Sequence, residues 1–268
     1  MSDSPGEPPV WIDLHAHILP GMDDGAHDIH QALEMVRAAQ EDGIGYLVAT
    51  PHNQAWPARD HRALVEQATR ELNDAIQEAG LWPRVLPGVE VYVTPDIRRQ
   101  IEVGQAFALA GSRYVLLELP ISAYPLYVDQ TIFELQVIGL AVILAHPERN
   151  ARVEAEPETL VPLVERGVLI QLTAGSLVGQ FGAHVQRTAL YLLRRKMAHV
   201  IASDAHNARH RPPVLSAAVA VASEIIGPAQ AHAMVSTIPR AILDNQKLEF
   251  ELPEPVEKRR SWASLWRR

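Results

Sequence analysis

The sequence predicts an α/β protein with a single domain, built as a distorted (β/α)7 TIM-like barrel. Seven short segments rich in Val, Ile and Leu alternate with helical segments, which is typical of a parallel sheet covered on both faces. The 268 residues, 47% of them hydrophobic, suffice for one core of barrel size. Residues of metal-ligand type follow the predicted strands. In a barrel all strand C-termini face one mouth, whereas an open doubly wound sheet, the alternative, would splay its outer strand ends apart.

The first half of the chain contains four of the seven predicted strands. They are expected at residues 10–14, 45–50, 84–91 and 114–119. The helices that follow them are expected at residues 29–42, 59–79, 96–103 and 128–139. Apolar side chains recur at helical spacing in the first of these helices, and Gly43 follows its end.

The second half of the chain repeats this alternation. Strands are expected at residues 141–145, 168–173 and 199–203. The first of these, AVILA, is apolar throughout, as expected for a strand that is buried on both faces. Helices are expected at residues 159–166, 185–197, 214–226, 229–236 and 240–245.

Two terminal segments fall outside the predicted barrel domain, which spans residues 10–252. Residues 1–9 contain three prolines and one glycine, and we predict an unfolded lead-in there. Residues 253–268 form a basic tail in which Trp262, Leu265 and Trp266 share one helical face. One interpretation is a frayed tail. The other is a short interfacial helix, at residues 254–268, that contacts anionic lipid or a protein partner.

The composition excludes several classes of function. Cysteine is absent, which excludes disulfides, thiolate metal sites and cysteine nucleophiles. The net charge of −8 argues against broad contact with nucleic acid, because the phosphate backbone attracts basic surfaces. The sequence has neither an apolar run long enough to cross a bilayer nor a secretory leader pattern, so we expect the protein in the cytoplasm.

Nine residues of metal-ligand type occur along the chain, nearly all at the C-terminal ends of short apolar runs. A buried imidazole or carboxylate without a partner costs several kcal/mol. In the His-x-His sequence of the first strand, the two imidazoles point to the same side. Asp24 is assigned as a ligand and Asp23 to loop hydrogen bonding, although their spacing does not separate them. The nine residues are His15, His17, Asp24, His52, Glu90, Glu118, His146, Asp204 and His206.

Nitrogen and oxygen ligands of this kind suit Mn, Fe or Zn. Nine ligands are generous for two ions and could hold three if a carboxylate bridges. Three divalent cations against four carboxylates leave about two positive charges, a field that attracts a phosphate dianion. Arg149 and Arg211 follow two of the histidines and are expected at the rim, where a guanidinium can grip phosphate. The sequence therefore predicts a metal-dependent hydrolase, and a phosphatase in particular.

A metal-dependent amidohydrolase is the rival within the same architecture. Many such enzymes bridge their metals with a carboxylated lysine. This chain has only Lys196, Lys247 and Lys258, and none of them ends a predicted strand. Non-enzymatic metal storage is also disfavoured, since storage needs neither rim arginines nor a barrel mouth.

Six motifs occur in order along the chain: IDLHAHILPGMDDGA, ATPH, GVEVYVTPD, LLELP, LAHPER and HVIASDAHN. Together they resemble the polymerase-and-histidinol-phosphatase (PHP) superfamily. Within it they are most similar to the manganese-dependent protein-tyrosine phosphatases of bacterial capsule and exopolysaccharide clusters, the CpsB/CapC type. The resemblance runs from about Ile12 to Asn245.

The resemblance implies the PHP barrel fold and a site with three divalent ions, manganese above all. One ion would be held by His15, His17, Glu90 and Asp204. Glu90 would bridge to a second ion that also takes Glu118 and His146, and a third would use Asp24, His52 and His206. Arg149 and Arg211 match arginines that bind or activate the phosphoryl group, and His206 is expected to be catalytic with them.

The resemblance also implies the hydrolysis of phosphotyrosine in proteins, in which a metal-bridging hydroxide attacks phosphorus in line. The expected partner is a membrane-anchored bacterial tyrosine kinase of polysaccharide synthesis, which the basic tail could contact. The alternative is a PHP phosphoesterase that acts on a small metabolite or nucleotide, such as histidinol phosphate.

Overall fold

The computed structural model describes residues 10–54, 61–251 and 253. The predicted lead-in at 1–9 and the predicted helical tail at 254–268 lie outside these residues. The first two residues of the predicted second helix lie outside them as well.

Parallel strands form two adjoining sheets in this part of the chain. The first sheet has the order β1-β2-β3 and the second the order β4-β5-β6-β7-β8, and every neighbouring pair is parallel. The strands are β1 (Trp11–Ala16), β2 (Ile44–Ala49), β3 (Arg84–Pro87), β4 (Glu90–Tyr92), β5 (Tyr114–Glu118), β6 (Ala141–Ala145), β7 (Leu169–Thr173) and β8 (Val200–Ala202).

The prediction of one continuous third strand at 84–91 was wrong, because this segment forms both β3 and β4. Gly88 lies at the break between them. A Cβ at Gly88 would lie 2.7 Å from Cγ1 of Val48 and 2.9 Å from Cδ2 of Leu109, so only glycine allows this close approach. The break moves the chain from the first sheet to the second, and the described part has eight strands where seven were predicted.

Isolated bridges join the two sheets into a barrel-like arrangement. His52 pairs with Glu90 beyond the end of β2, and Ala16 pairs with Ala205 beyond the end of β8. At the opposite end of β1, the N–H of Ile12 donates to the carbonyl of Val235 at 2.8 Å. The segment that carries Val235 therefore lies between the first and last strands, and the ladder is not continuous around the barrel.

Helices cover the outside of the sheets. Asp28 caps the first helix by accepting the N–H of Gln31 at 2.9 Å. None of the helices in the described ranges is long and apolar enough to span a bilayer. The helices are α1 (Ile29–Glu41), α2 (His61–Glu78), α3 (Ile97–Glu102), α4 (Val128–Val137), α5 (Ala151–Ala155), α6 (Val161–Glu165), α7 (Ala174–Leu177), α8 (Ala183–Arg194), α9 (Ser216–Ile226), α10 (Pro228–Ala233) and α11 (Thr237–Leu243).

Two short helices were not predicted, and one predicted helix is shorter than expected. α5 and α7 have five and four residues, too few to show a helical period in the sequence. The predicted helix at 159–166 is a 3-10 turn at Pro157–Leu160 followed by α6. The other predicted helices match the observed ones to within a few residues at each end.

The alternation of side chains along the strands positions the site. On β5 the side chains of Tyr114 and Leu116 belong to the buried cluster that fills the barrel, whereas Val115 and Leu117 pack towards the helices. Glu118 follows at the same spacing as Tyr114 and Leu116, so it continues the inward series at the C-terminal end. The barrel is therefore apolar at the N-terminal ends of its strands and polar at its mouth.

Candidate metal centre

The two histidines of β1 lie at the centre of the mouth, and both are buried. His15 Nδ1 donates to Oε1 of Gln171 at 2.9 Å, and His17 Nδ1 donates to Oδ2 of Asp23 at 2.6 Å. The Nε2 atoms of the two rings face each other at 3.1 Å. Histidines that bind metals typically fix their outer nitrogen in this way and present the other one to the ion.

The glycine-containing loop after β1 places its two aspartates differently. Asp23 is buried behind the site, where Oδ2 also accepts the N–H of His52 at 3.1 Å. Burial raises the pKa of Asp23, but hydrogen bonds, above all from His17, outweigh this and lower its pKa to about 2. Asp24 is 66% exposed, and its Oδ1 lies 3.6 Å from His52 Nε2 and 3.4 Å from His206 Nε2. Asp24 therefore faces the mouth, whereas Asp23 orients a histidine.

Gly25 is required at the end of this loop. A Cβ there would lie 1.9 Å from the carbonyl oxygen of His17. The loop can return this close to the strand end only because the position lacks a side chain.

Glu90 occupies the floor of the mouth. Its Oε1 accepts a hydrogen bond from His146 Nε2 at 2.9 Å, and its Oε2 lies 3.4 Å from His17 Nε2. Oε2 also lies 3.0 Å from His52 Nδ1, yet this buried oxygen accepts no aligned hydrogen bond. Burial raises the pKa of Glu90, but nearby His15 and His146 outweigh it and hold this pKa well below its usual range.

Glu118 lies nearer the surface, with 16% of its side chain exposed. Its Oε2 is 3.8 Å from His52 Nδ1. Burial, followed by the negative charge of Glu90, raises the pKa of Glu118. Oxygen atoms of Glu90 and Glu118 lie within 4.8 Å of each other, so these two carboxylates require compensating positive charge.

Asp204 connects the histidines with the two arginines. It lies beyond β8 in the left-handed region, with φ of 53°. Its Oδ1 is 3.5 Å from the Nε2 atoms of both His15 and His17. Its Oδ2 accepts from Arg149 Nη1 and from Arg211 Nη2, each at 2.6 Å. Both arginines therefore reach the mouth, where they share one carboxylate oxygen.

His206 lies on the exposed side of this arrangement. Its Nδ1 donates to the backbone carbonyl of Asp204 at 3.0 Å, which leaves Nε2 directed towards Asp24. Burial and the neighbouring His17 lower the pKa of His206 to about 4. This imidazole is therefore uncharged near pH 7, and the lone pair of its Nε2 is available to a cation.

All nine residues occur in four groups whose donor atoms lie within 4.8 Å of one another. The groups share members and differ in part from the assignment implied by the resemblance. His17 joins the group of Asp24, and Glu118 groups with His52 and Glu90 instead of His146. The role of the nine as ligands stays a prediction. The groups are His17, Asp24, His52 and His206; His15, Glu90 and His146; His15, His17 and Asp204; and His52, Glu90 and Glu118.

This donor set fits divalent cations. All donors are imidazole nitrogens or carboxylate oxygens, the ligands that Mn, Fe and Zn accept. The oxygen of Glu90 that lacks an aligned hydrogen bond is buried among nitrogens, and the two Nε2 atoms at 3.1 Å can share only one proton. Cations between these converging lone pairs would satisfy atoms that otherwise stay under-paired.

Three residues that support the site were not predicted from the sequence. Asp13 is fully buried, and its Oδ1 accepts the N–H of Ser203 at 3.0 Å. Burial raises the pKa of Asp13 to about 6, although the hydrogen bonds from Ser203 lower this pKa. An acidic residue in an apolar strand could have revealed it. Gln171, an amide flanked by apolar residues in LIQLT, carries a similar signal. Phe181, which contacts both arginines, stands in a loop and carries none.

The fold and the site define the class of the protein: an α/β barrel with a candidate metal centre at the C-terminal ends of its strands. The chain belongs to the CpsB/CapC family, because the family model described as "Capsular polysaccharide synthesis, CpsB/CapC" matches residues 11–244. This confirms the family resemblance seen in the sequence.

Relatives in this family are similar over nearly their whole length. Tyrosine-protein phosphatase YwqE of Bacillus subtilis is 35% identical over 93% of this chain and 98% of its own. Tyrosine-protein phosphatase CpsB of Streptococcus pneumoniae is 23% identical over 88% of this chain and 99% of its own.

Solved structures agree with the fold. The crystal structures of YwqE and CpsB, described as metal-dependent tyrosine phosphatases, include a chain with a TM-score of 0.86 and 34% identity, over 92% of this chain and 100% of that one. The lactonase Lmo2620 of Listeria monocytogenes, at 12% identity, has a TM-score of 0.58 over 89% of this chain and 95% of its own, and shares the fold alone.

Proposed function

We propose that this protein is a metal-dependent phosphatase that hydrolyses phosphotyrosine in other proteins. One observation carries the proposal: nine side chains of metal-ligand type and two arginines converge on one mouth. The relatives in B. subtilis and S. pneumoniae, which are tyrosine-protein phosphatases, support the same activity.

The nine residues would hold the ions, and we propose three of them, with manganese favoured over iron or zinc. When bound, such ions would screen the charge of the phosphoryl group and activate water as the nucleophile. The chain has no cysteine, so a thiolate mechanism is excluded.

Arg149 and Arg211 would bind the phosphoryl oxygens. Each donates to Oδ2 of Asp204 through one terminal nitrogen, which leaves further N–H groups of each planar guanidinium for a phosphate. Negative charge grows on the ester oxygen as the phenol leaves. Because the pKa of a phenol is about 10, this oxygen needs less help from a general acid than an alkoxide would.

The proposed substrate is a tyrosine-phosphorylated protein of capsule or exopolysaccharide synthesis. A membrane-anchored bacterial tyrosine kinase would suit this role, and the reaction would take place in the cytoplasm. The family description, which refers to capsular polysaccharide synthesis, supports the pathway. Contact of the basic tail with the kinase or with lipid stays a prediction, because residues 254–268 lie outside those described.

A comparison of substrates tests the proposal. Metal-stripped protein is reloaded with Mn, Fe, Zn or no metal and assayed with phosphotyrosine peptides, histidinol phosphate and nucleotides. We expect metal-dependent turnover that favours the phosphotyrosine peptides. Preference for histidinol phosphate or a nucleotide would instead identify a small-molecule phosphoesterase, and equal rates without metal would refute both readings.

A further inference from the structure

Phe181 contacts both arginines of the candidate site. The Cζ atom of Arg149 lies 4.6 Å from the centre of the Phe181 ring, and that of Arg211 lies 5.7 Å from it. Both distances are within the range of cation–π attraction, which holds a guanidinium against an aromatic face.

The two arginines need such a contact because they repel each other. Both donate to one oxygen of Asp204 at 2.6 Å, so their positive charges lie close together. The other oxygen of Asp204 faces His15 and His17. One carboxylate therefore serves two arginines and two histidines. Arg211 Nη2 also donates to the backbone carbonyl of Asp204 at 3.0 Å, so Asp204 holds each guanidinium through one terminal nitrogen.

An aromatic ring holds an arginine without using its hydrogen bonds. The N–H groups of a guanidinium lie in its plane and point outwards from its edges, whereas a ring contacts its flat face. A second carboxylate would instead compete with phosphate for the same edges.

We propose that Phe181 is a positioning residue that holds Arg149 and Arg211 ready to bind the phosphoryl group. The inference rests on the phosphate-binding role given to these arginines in the proposed function. It adds a residue outside the nine candidate metal ligands, one that acts through the two guanidinium groups.

The loop that carries Phe181 is fixed to the loop that carries Arg211. The side-chain amide of Gln180 donates to the carbonyl of His210, next to Arg211. Gly179 and Gly182 have φ of 84° and 93°, so the chain turns tightly on both sides of the ring. This hydrogen bond fixes the segment that carries the ring relative to the loop that carries Arg211.

Core packing does not account for Phe181. Its side chain is half-buried and is not part of either buried apolar cluster. A cavity of about 120 Å³ lies beside it, lined also by Arg211, Val178 and Val214. A ring that borders an open space contributes little by filling volume, so its contact with the arginines is the larger part of its role.

The test compares Phe181→Leu with Phe181→Tyr in metal-loaded protein. Leucine keeps the apolar character and removes the ring, whereas tyrosine keeps the ring. In Phe181→Leu we expect the inhibition constant of inorganic phosphate and the KM for p-nitrophenyl phosphate to rise about five- to tenfold, which corresponds to a weak cation–π contact with each arginine. Phe181→Tyr should remain within twofold of wild type.

Phe133→Leu, at an exposed phenylalanine of α4, is the matched control and should change neither constant. Metal content should stay equal in all variants. Unchanged phosphate inhibition in Phe181→Leu, or equal weakening in the leucine and tyrosine variants, would overturn the proposal. If wild-type protein hydrolyses no phosphoester, the proposed function fails. Calorimetry of phosphate binding to the same variants then decides the role of Phe181, and no binding by wild type would overturn that role as well.

Discussion

At the scale of single residues, Asp204 links two parts of the site that differ in chemistry. One of its oxygens faces imidazoles and the other accepts two guanidinium groups. Burial raises the pKa of Asp204, but its neighbours, the electrostatic effect of His15 first among them, hold this pKa well below its usual range. The carboxylate therefore stays charged and can serve both sides at once.

The assignment of His206 is tested by its removal. In His206→Ala we expect kcat to fall by about a hundredfold or more, because a ligand lost from a metal site removes part of the charge that activates water. The variant should keep its fold and bind about one ion fewer by elemental analysis. His210→Ala, four positions later on the exposed loop, is the control and should behave like wild type. Full metal content and near-normal turnover in His206→Ala would refute the assignment.

The two adjacent aspartates allow a second test. Asp23→Asn replaces the acceptor of His17 Nδ1 with an amide that can present a donor, so we expect metal affinity to fall by ten- to a hundredfold. Asp24→Asn should remove one ligand of the ion proposed for Asp24, His52 and His206, while the His17 ring keeps its orientation. Competition with a chelator measures the metal affinities. If Asp24→Asn loses one ion and Asp23→Asn keeps the full number, Asp24 is a ligand and Asp23 an orienting residue. Identical affinities in wild type and Asp23→Asn would contradict the orienting role.

The sequence predicted which side chains converge at the mouth, but not all of their contacts. Histidines and acids that end apolar strands stand out, since such groups are rarely buried without partners. The meeting of Arg149 and Arg211 on Asp204 could not be predicted. Arg149 ends a 3-10 turn at Pro147–Arg149 and Arg211 stands in a loop, and the paths of both segments depend on tertiary packing. Phe181 was missed for the same reason.

At the scale of elements, strands were predictable where they are apolar throughout, as in β6. The break between β3 and β4 was not predictable. It depends on the close approach of Gly88 to Val48 and Leu109, which belong to distant segments. α7 was missed because four residues hold barely one helical turn.

His199 gives the β7–β8 pair a pH-dependent stability. The N–H of Ile170 donates to Nδ1 of His199 at 3.0 Å, and burial lowers the pKa of this histidine to about 4. Between pH 6.5 and 4 the unfolded chain takes up a proton that the folded protein refuses. The free energy of unfolding should therefore fall as the pH falls through this window, by about 3 kcal/mol from this group.

His199→Asn isolates this contribution, since an amide oxygen can accept the same N–H but does not titrate. Urea unfolding of both proteins in chelator, from pH 7 to pH 4, gives the comparison. The asparagine variant should lose less stability than wild type by about the stated amount. Parallel curves for the two proteins would exclude His199 as the source.

At the scale of the whole molecule, the seam between β1 and β8 completes the barrel. Backbone pairing joins them where the N–H of His17 donates to the carbonyl of Ala205 at 2.8 Å. Deeper in the seam, the buried carboxylate of Asp13 accepts both the N–H and the hydroxyl of Ser203. A side chain thus replaces part of the missing ladder. The sequence predicted the barrel from its alternating pattern, but not that a carboxylate would complete this seam.

Removal of the Asp13 carboxylate should weaken the whole barrel. In Asp13→Ala the backbone N–H groups of Ser203 and His15 lose the carboxylate that they donate to, and the hydroxyl of Ser203 keeps only the carbonyl of His15 at 3.4 Å. We therefore expect the free energy of unfolding to fall by about 3 kcal/mol. Ser203→Ala leaves the carboxylate two backbone N–H donors, from Ser203 itself and His15, but removes the hydroxyl that accepts the N–H of Ala205. It should cost less than Asp13→Ala, about 1 to 2 kcal/mol. Chemical denaturation of metal-free protein measures both. Equal losses of unfolding free energy in the two variants would argue that the Asp13 carboxylate does not hold β1 and β8 together.

The pairing of Ala16 with Ala205 also bears on how the protein is made. His15 and His17 leave the ribosome early in translation, whereas Asp204 and His206 leave it only after most of the barrel has been synthesised. A nascent or prematurely terminated chain therefore lacks part of the proposed centre. Hydrolytic capacity would arise late and all at once, in molecules whose translation has passed the last strand.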